Sequence, residues 1–246
     1  MHGRHLLQLA EHSERGCSWS TIGAAVQSNL TGHSHGTAGI ATALLELYGV
    51  TNDIEFMDTA QAAFRYEHHW FDQGQSNWAD LRRFAQRGQI GQVGQDGITC
   101  SMAWCHGAPG IGLSRLRNRQ LLMQSSGVET SDSSAIEQDL EAALHSSSAA
   151  LMQAWLPGKL NYSLCHGAAG NAELMIMAAK ELQRPALMAV AEKVAQDGHN
   201  FYVKQGLPWP CGNGGVGESP GLMLGTAGIG YFYLRMFDAQ SVPSIL

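Results

Sequence analysis

Ser34-His35-Gly36-Thr37-Ala38-Gly39 runs directly into Ile40-Ala41-Thr42-Ala43-Leu44-Leu45-Glu46-Leu47-Tyr48. Ile40, Ala43, Leu44, Leu47 and Tyr48 fall at i, i+3, i+4, i+7 and i+8, one face of an α-helix. A turn is expected over 49–53. Beyond it Phe56, Ala60, Ala63 and Phe64 repeat the helical spacing, with Asp53 placed to cap this second helix. The unit is therefore a His-Gly step, a helix, a turn and a helix.

The same opening recurs downstream. Trp104-Cys105-His106-Gly107-Ala108-Pro109-Gly110 and Leu164-Cys165-His166-Gly167-Ala168-Ala169-Gly170 carry it with a cysteine, and Leu224-Gly225-Thr226-Ala227-Gly228 carries it without histidine. Placing His35, His106, His166 and Leu224 in register gives steps of 71, 60 and 58 residues. A long, similar period marks an array in which each repeat is one supersecondary element. In the third unit Leu174-Met175-Ile176-Met177-Ala178-Ala179 is apolar all round, as expected of a core helix between neighbours. Arg184-Pro185 opens its second helix, with Leu187, Val190, Ala191 and Val194 on one face. No alternating strand longer than a few residues stands out. The fold class is all-α, in a single domain over 1–246.

Composition narrows the function. The chain has 246 residues, 44% hydrophobic and 15% charged, with a net charge of −6. The absence of a basic stripe excludes nucleic acid as a partner. No run approaches the ~18–20 apolar residues of a membrane span, and the first residues lack the apolar core of a signal peptide. The five cysteines, at 17, 100, 105, 165 and 211, read as reduced thiols of a cytoplasmic protein. Glycine-rich or polar connectors at Gly88–Gly97, Ser125–Ser134 and Gly206–Gly221 are expected to form a rim of loops near a site.

The twin Cys-His steps hold the chemistry. An open zinc site takes three protein ligands and keeps a fourth position for water or substrate. Two thiols and one imidazole from adjacent repeats meet that count, whereas a structural zinc would recruit His106 or Cys211 as well. The competing reading is that Cys105 and Cys165 are small buried hydrophobes. His35 occupies the same repeat position without a cysteine, and is either a proton-exchanging group or a histidine bonded into the helix ends. Cys17 and Cys100 read as packing, Cys211 as part of a rim loop, and Asp80 with Arg82 as a local structural pair. No phosphate-cradling glycine motif is present.

SHGTAGI, NWADLR, MAWCHGAPGIGLSRL, LCHGAAGN, GLMLGTAGIGY and the terminal VPSIL together resemble the lanthionine synthetase C-like cyclase family over nearly the whole chain. The nearest likeness is to the C-terminal cyclase domain of bifunctional class II lanthipeptide synthetases. The resemblance implies an α/α toroid of helical hairpins, with Zn2+ held by Cys105, Cys165 and His166. It makes His35 the active-site histidine that gives or takes a proton. The implied reaction adds a peptide cysteine thiol to dehydroalanine or dehydrobutyrine in a dehydrated precursor peptide, forming a thioether ring.

Two departures accompany the likeness. The family's further N-terminal hairpins and an upstream acidic residue have no counterpart, leaving an incomplete ring of about four to five of seven hairpins. The chain is thus expected to be an N-terminally truncated fragment, its partner the remaining part of a larger synthetase. Whether the isolated chain is active stays open. Ala168-Ala169 also stands where related sequences often carry an acidic residue. The alternatives are a non-catalytic, zinc-containing peptide-binding module and, less in keeping with the twin CHG steps, a zinc prenyltransferase subunit.

Overall fold

The computed structural model describes residues 2–21, 28–82, 99–124, 133–153, 161–214 and 217–246. Among them are α1 (His2–Gln8), α2 (Thr37–Thr51), α3 (Ile54–His69), α4 (Ala108–Gln124), α5 (Ser133–Gln153), α6 (Ala168–Glu181), α7 (Pro185–Gly198) and α8 (Thr226–Phe237). A π-helical turn, His199–Val203, extends α7. Two short antiparallel hairpins complete the set: β1 (Glu11–Ser13) with β2 (Gly16–Ser18), and β3 (Phe71–Asp72) with β4 (Asn77–Trp78). The connector Gly88–Gly97 lies outside the described residues, as does 125–132, while Ser133 and Ser134 already belong to α5.

The helices pair as α2 with α3, α4 with α5 and α6 with α7, and they form two layers. α2, α4, α6 and α8 contact one another in that order as an inner row, while α3, α5 and α7 line up outside. This is an arc of α/α hairpins, with α1 packed on the first hairpin and α8 on the last. Each inner helix begins just after a His-Gly or Leu-Gly step, so all four steps gather at one end of the inner row.

Glycine spacing explains why the step is repeated so faithfully. A Cβ on Gly39, Gly110, Gly170 or Gly228 would lie 2.0, 1.9, 1.7 or 1.9 Å from the carbonyl oxygen of His33, Trp104, Leu164 or Leu222, respectively. In every case that carbonyl lies six positions earlier, where the loop folds back over the first helical turn. Only glycine leaves room for it. The requirement is one of close approach.

Two helix starts follow their sequence signals. Asp53 accepts the N–H of Glu55 and starts α3, and Pro185 sits in the first turn of α7. The turn expected over 49–53 is shorter than its glycine suggested. Gly49 and Val50 are still helical, and Asn52, with φ 55°, closes α2 in the left-handed conformation.

The core is apolar between the layers. Leu174, Met175 and Ile176 of α6 are almost wholly buried, as their all-round hydrophobicity required. Gly112 lets α4 approach α6 and α5, since a Cβ there would meet Leu174 Cδ2 at 2.7 Å and Ala143 Cβ at 2.9 Å. Arg235 of α8 is buried against Glu173 of α6, donating from Nη2 to Oε1 at 2.6 Å, while its Nη1 donates to the carbonyl of Ala239. That pair anchors the C-terminal segment to the inner row. Among the described residues no helix is long and apolar enough to cross a membrane.

Candidate metal centre

The steps before the inner helices are stitched together by main chain. Ser34 N–H donates to Cys105 O (3.2 Å), Cys105 N–H to Cys165 O (3.1 Å), and Cys165 N–H to Met223 O (2.9 Å). All four residues hold the same repeat position, one before His35, His106, His166 and Leu224. Each step thus reaches for the equivalent residue of the next.

Cys105, Cys165 and His166 offer one ligand atom each, all within 4.8 Å of one another. A tetrahedral zinc with Zn–S of about 2.3 Å and Zn–N of about 2.0 Å needs ligand atoms roughly 3.3–3.8 Å apart. The cluster therefore closes on an ion with small movements, and two thiols with an imidazole are donors zinc favours. His166 is oriented from behind: its Nε2 lies 2.9 Å from Gly212 O. A carbonyl only accepts, so Nε2 carries the proton and Nδ1 keeps the lone pair for a cation.

The two thiols perturb each other in opposite directions. A hydrogen bond from Cys105, more than the opposing burial, lowers the Cys165 thiol to about 5, with help from His166 and the charge of His35. Cys105 is pushed up by the same bond and by burial. The N-termini of α4 and α6 begin three residues after these cysteines, and their dipoles favour negative charge there.

The remaining residues sort clearly. His35 is exposed, immediately ahead of the Gly36 cap of α2, and stands outside the three-atom cluster while close enough for its charge to act on Cys165. His106 is fully buried and its Nε2 lies 3.2 Å from Asp80 Oδ1. Burial lowers His106 to about 4 in spite of Asp80, and it does not join the cluster. Cys211 lies in the expected loop but is buried there, its sulfur accepting the N–H of Ser219 at 3.3 Å. Cys17 hydrogen-bonds Thr59 O, and Cys100 pairs with Ala79 in an isolated bridge, both structural. Leu224 brings no ligand, yet its carbonyl accepts Gly212 N–H at 2.7 Å and so holds the loop that orients His166.

Asp80 and Arg82 form the expected local pair, with Arg82 Nε donating to Asp80 Oδ1 at 2.8 Å. Although burial opposes ionisation, bonds from Arg82 and Ser101 and the charge of Arg82 hold Asp80 at about 2. What spacing did not reveal is their location, with Asp80 against His106 and Arg82 within electrostatic reach of both metal-site cysteines. Gly212 has no individual signal in the sequence. The glycine-rich PCGNGG run marks a loop without saying that one carbonyl would face His166.

Comparison with known proteins bears on the family and the fold. The family model described as lanthionine synthetase C-like protein matches residues 3–246. A curated relative, the lacticin 481/lactococcin biosynthesis protein LcnDR2 of Lactococcus lactis subsp. lactis, is 23% identical over 225 residues, 90% of this chain. The chain spans only 22% of that relative's length. Among solved structures, nisin cyclase shares the fold with a TM-score of 0.61 at 16% identity, over 96% of this chain and 56% of that one.

Proposed function

Because this chain belongs to the lanthionine synthetase C-like family, we propose that it performs the family's ring-forming step on a dehydrated precursor peptide. A peptide cysteine thiol adds to the β-carbon of dehydroalanine or dehydrobutyrine. A C–S bond forms, the C=C π pair moves onto the α-carbon and its carbonyl as an enolate, and a proton then reaches the α-carbon. The sum is an isomerisation with no co-reactant.

The observation that carries this reading is the meeting of Cys105, Cys165 and His166 at the ends of the inner helices. Zinc held by these three would supply the positive charge that makes a substrate thiol ionise at neutral pH. The chain's own residues do the rest. Gly212 O fixes His166 with Nδ1 available, and the inner helix N-termini favour the anions that develop. His35, exposed ahead of α2, would give the enolate its proton and take the thiol's. All five cysteines are free, which supports work in a reducing cytoplasm.

The test is to incubate the zinc-loaded protein with a dehydrated precursor peptide and count free peptide thiols by alkylation. Cyclisation leaves the mass unchanged and removes thiols. A protein that holds zinc and binds the peptide yet leaves every thiol alkylatable is a binding module, and the catalytic reading is then lost.

A further inference from the structure

Glu67, in α3, lies outside the metal cluster and is fully buried. Its Oε1 accepts two main-chain N–H groups, from Gly32 at 2.9 Å and from Ala38 at 3.1 Å. These two donors bracket the loop ahead of α2, and His35 sits midway between them. Gly32, with φ +100°, is also pressed on the neighbouring repeat: a Cβ there would come within 3.2 Å of Cys105 O and His106 Cα. Ser34 N–H, inside the bracket, donates to Cys105 O. The loop is thus tied to α3 at both ends and to the metal-site cysteine in its middle.

Behind Glu67 stands an arrangement that keeps its carboxylate still. Oε2 faces Arg115 Nη1 at 3.1 Å. Arg115, itself wholly buried, lies over the Phe64 ring and donates from Nε to Asp139 Oδ2 at 3.0 Å. Asp139 Oδ1 in turn meets His68 Nδ1 at 2.8 Å. Burying ionic groups is costly and is often replaceable by apolar packing without loss of stability. An acceptor fixed for two loop amides is something apolar packing does not provide.

We infer that Glu67 is the positioning residue of His35, one carboxylate oxygen clamping both ends of the loop that presents the imidazole to the metal centre. This rests on the proton-transfer role proposed for His35. Without the clamp the loop gains freedom, and a misplacement of about 1 Å lowers a rate on the order of 100-fold.

Glu67→Leu, Glu67→Asp and Glu67→Gln in the full chain separate the possibilities. Leucine removes the acceptor, aspartate withdraws it by one methylene while keeping charge beside Arg115, and glutamine retains an acceptor oxygen. For the first two, turnover of a dehydrated precursor peptide should fall about 100-fold with KM changed less than about threefold. Zinc content should stay at the wild-type value, and the Gly32 and Ala38 amides should exchange faster with deuterium. Glu67→Gln should recover slow exchange and most of the turnover. Wild-type exchange at both amides in Glu67→Leu and Glu67→Asp overturns the clamp, as does a loss of turnover that only follows a loss of zinc or folded protein. Should leucine prevent folding, aspartate alone decides. If the wild-type chain itself forms no rings, the functional reading fails, while amide exchange still judges the clamp.

Discussion

Cys105 donates its main-chain N–H to the carbonyl of Cys165 at 3.1 Å, so the two thiols are brought together by backbone pairing before any metal is considered. The same bond joins Ser34 to Cys105 and Cys165 to Met223. The cluster proposed to hold a metal thus sits on a main-chain contact that joins each of the four steps to its neighbour. Replacing the side chains at this position should change the chemistry and leave the arc intact.

Glycine at the fourth position after each His-Gly or Leu-Gly histidine or leucine is required by a carbonyl. Gly170→Ala places a Cβ 1.7 Å from Leu164 O, and should destabilise by about 3 kcal/mol or more. Gly230, exposed in α8 with nothing within 4 Å of a Cβ, is the control. Gly230→Ala should stabilise by about 1 kcal/mol. Denaturant unfolding of both variants checks the contrast, and equal effects would remove the close-approach explanation.

Stability should depend on pH through a buried imidazole, His106, and a half-buried one, His33. Burial lowers His33 and His106 from 6.5 to about 4. Between those values the unfolded chain binds more protons than the folded one, so stability falls as pH drops from about 6.5 toward 4. It falls further below that, because Asp80, held at about 2 in the fold, takes up its proton near 3.8 when unfolded. Thermal midpoints of metal-free protein should decline steadily from pH 7 to 4.5, and His106→Gln should flatten the slope. A profile level across this range contradicts the neutral state of these histidines.

The loop behind His166 should tune metal affinity without supplying a ligand. A side chain on Gly212 would meet Ser163 Oγ at 2.6 Å and His166 Nε2 at 3.0 Å. Gly212→Val should displace the carbonyl that holds the imidazole and weaken zinc binding about 10–100-fold, with little change in helix content. Competition with a chromophoric chelator measures this, and an unchanged affinity would show that His166 needs no such support.

His35 should matter for turnover and not for zinc. His35→Asn should lower ring formation about 10²–10⁴-fold while metal content and unfolding midpoint stay near wild type, since the side chain is exposed. Thiol alkylation time courses give the rate. Undiminished turnover would assign the proton to another group.

The inner row was legible because its signals are local. Apolar spacing from Ile40 to Tyr48 and the repeated His-Gly-x-x-Gly or Leu-Gly-x-x-Gly frame mark the starts of α2, α4, α6 and α8. Cys105, Cys165 and His166 stood out because soft donors recurred at one repeat position. The supporting residues were hidden for the opposite reason. Glu67 lies 32 residues from His35 in a helix whose pattern shows only a charged residue, and its role depends on two amides elsewhere. Gly212 acts through a carbonyl, which no side-chain motif encodes. Gly49 pointed to an early turn, and Asn52 closed the helix instead because its side chain tolerates the left-handed conformation.

The most direct measurement is metal analysis with X-ray absorption at the zinc edge on purified protein, wild type beside Cys165→Ala and His106→Asn. One zinc per chain in a coordination shell with two sulfurs and one imidazole is expected, lost in Cys165→Ala and retained in His106→Asn. A wild-type protein that takes up no zinc, or a zinc that survives removal of Cys165 unchanged, contradicts the account.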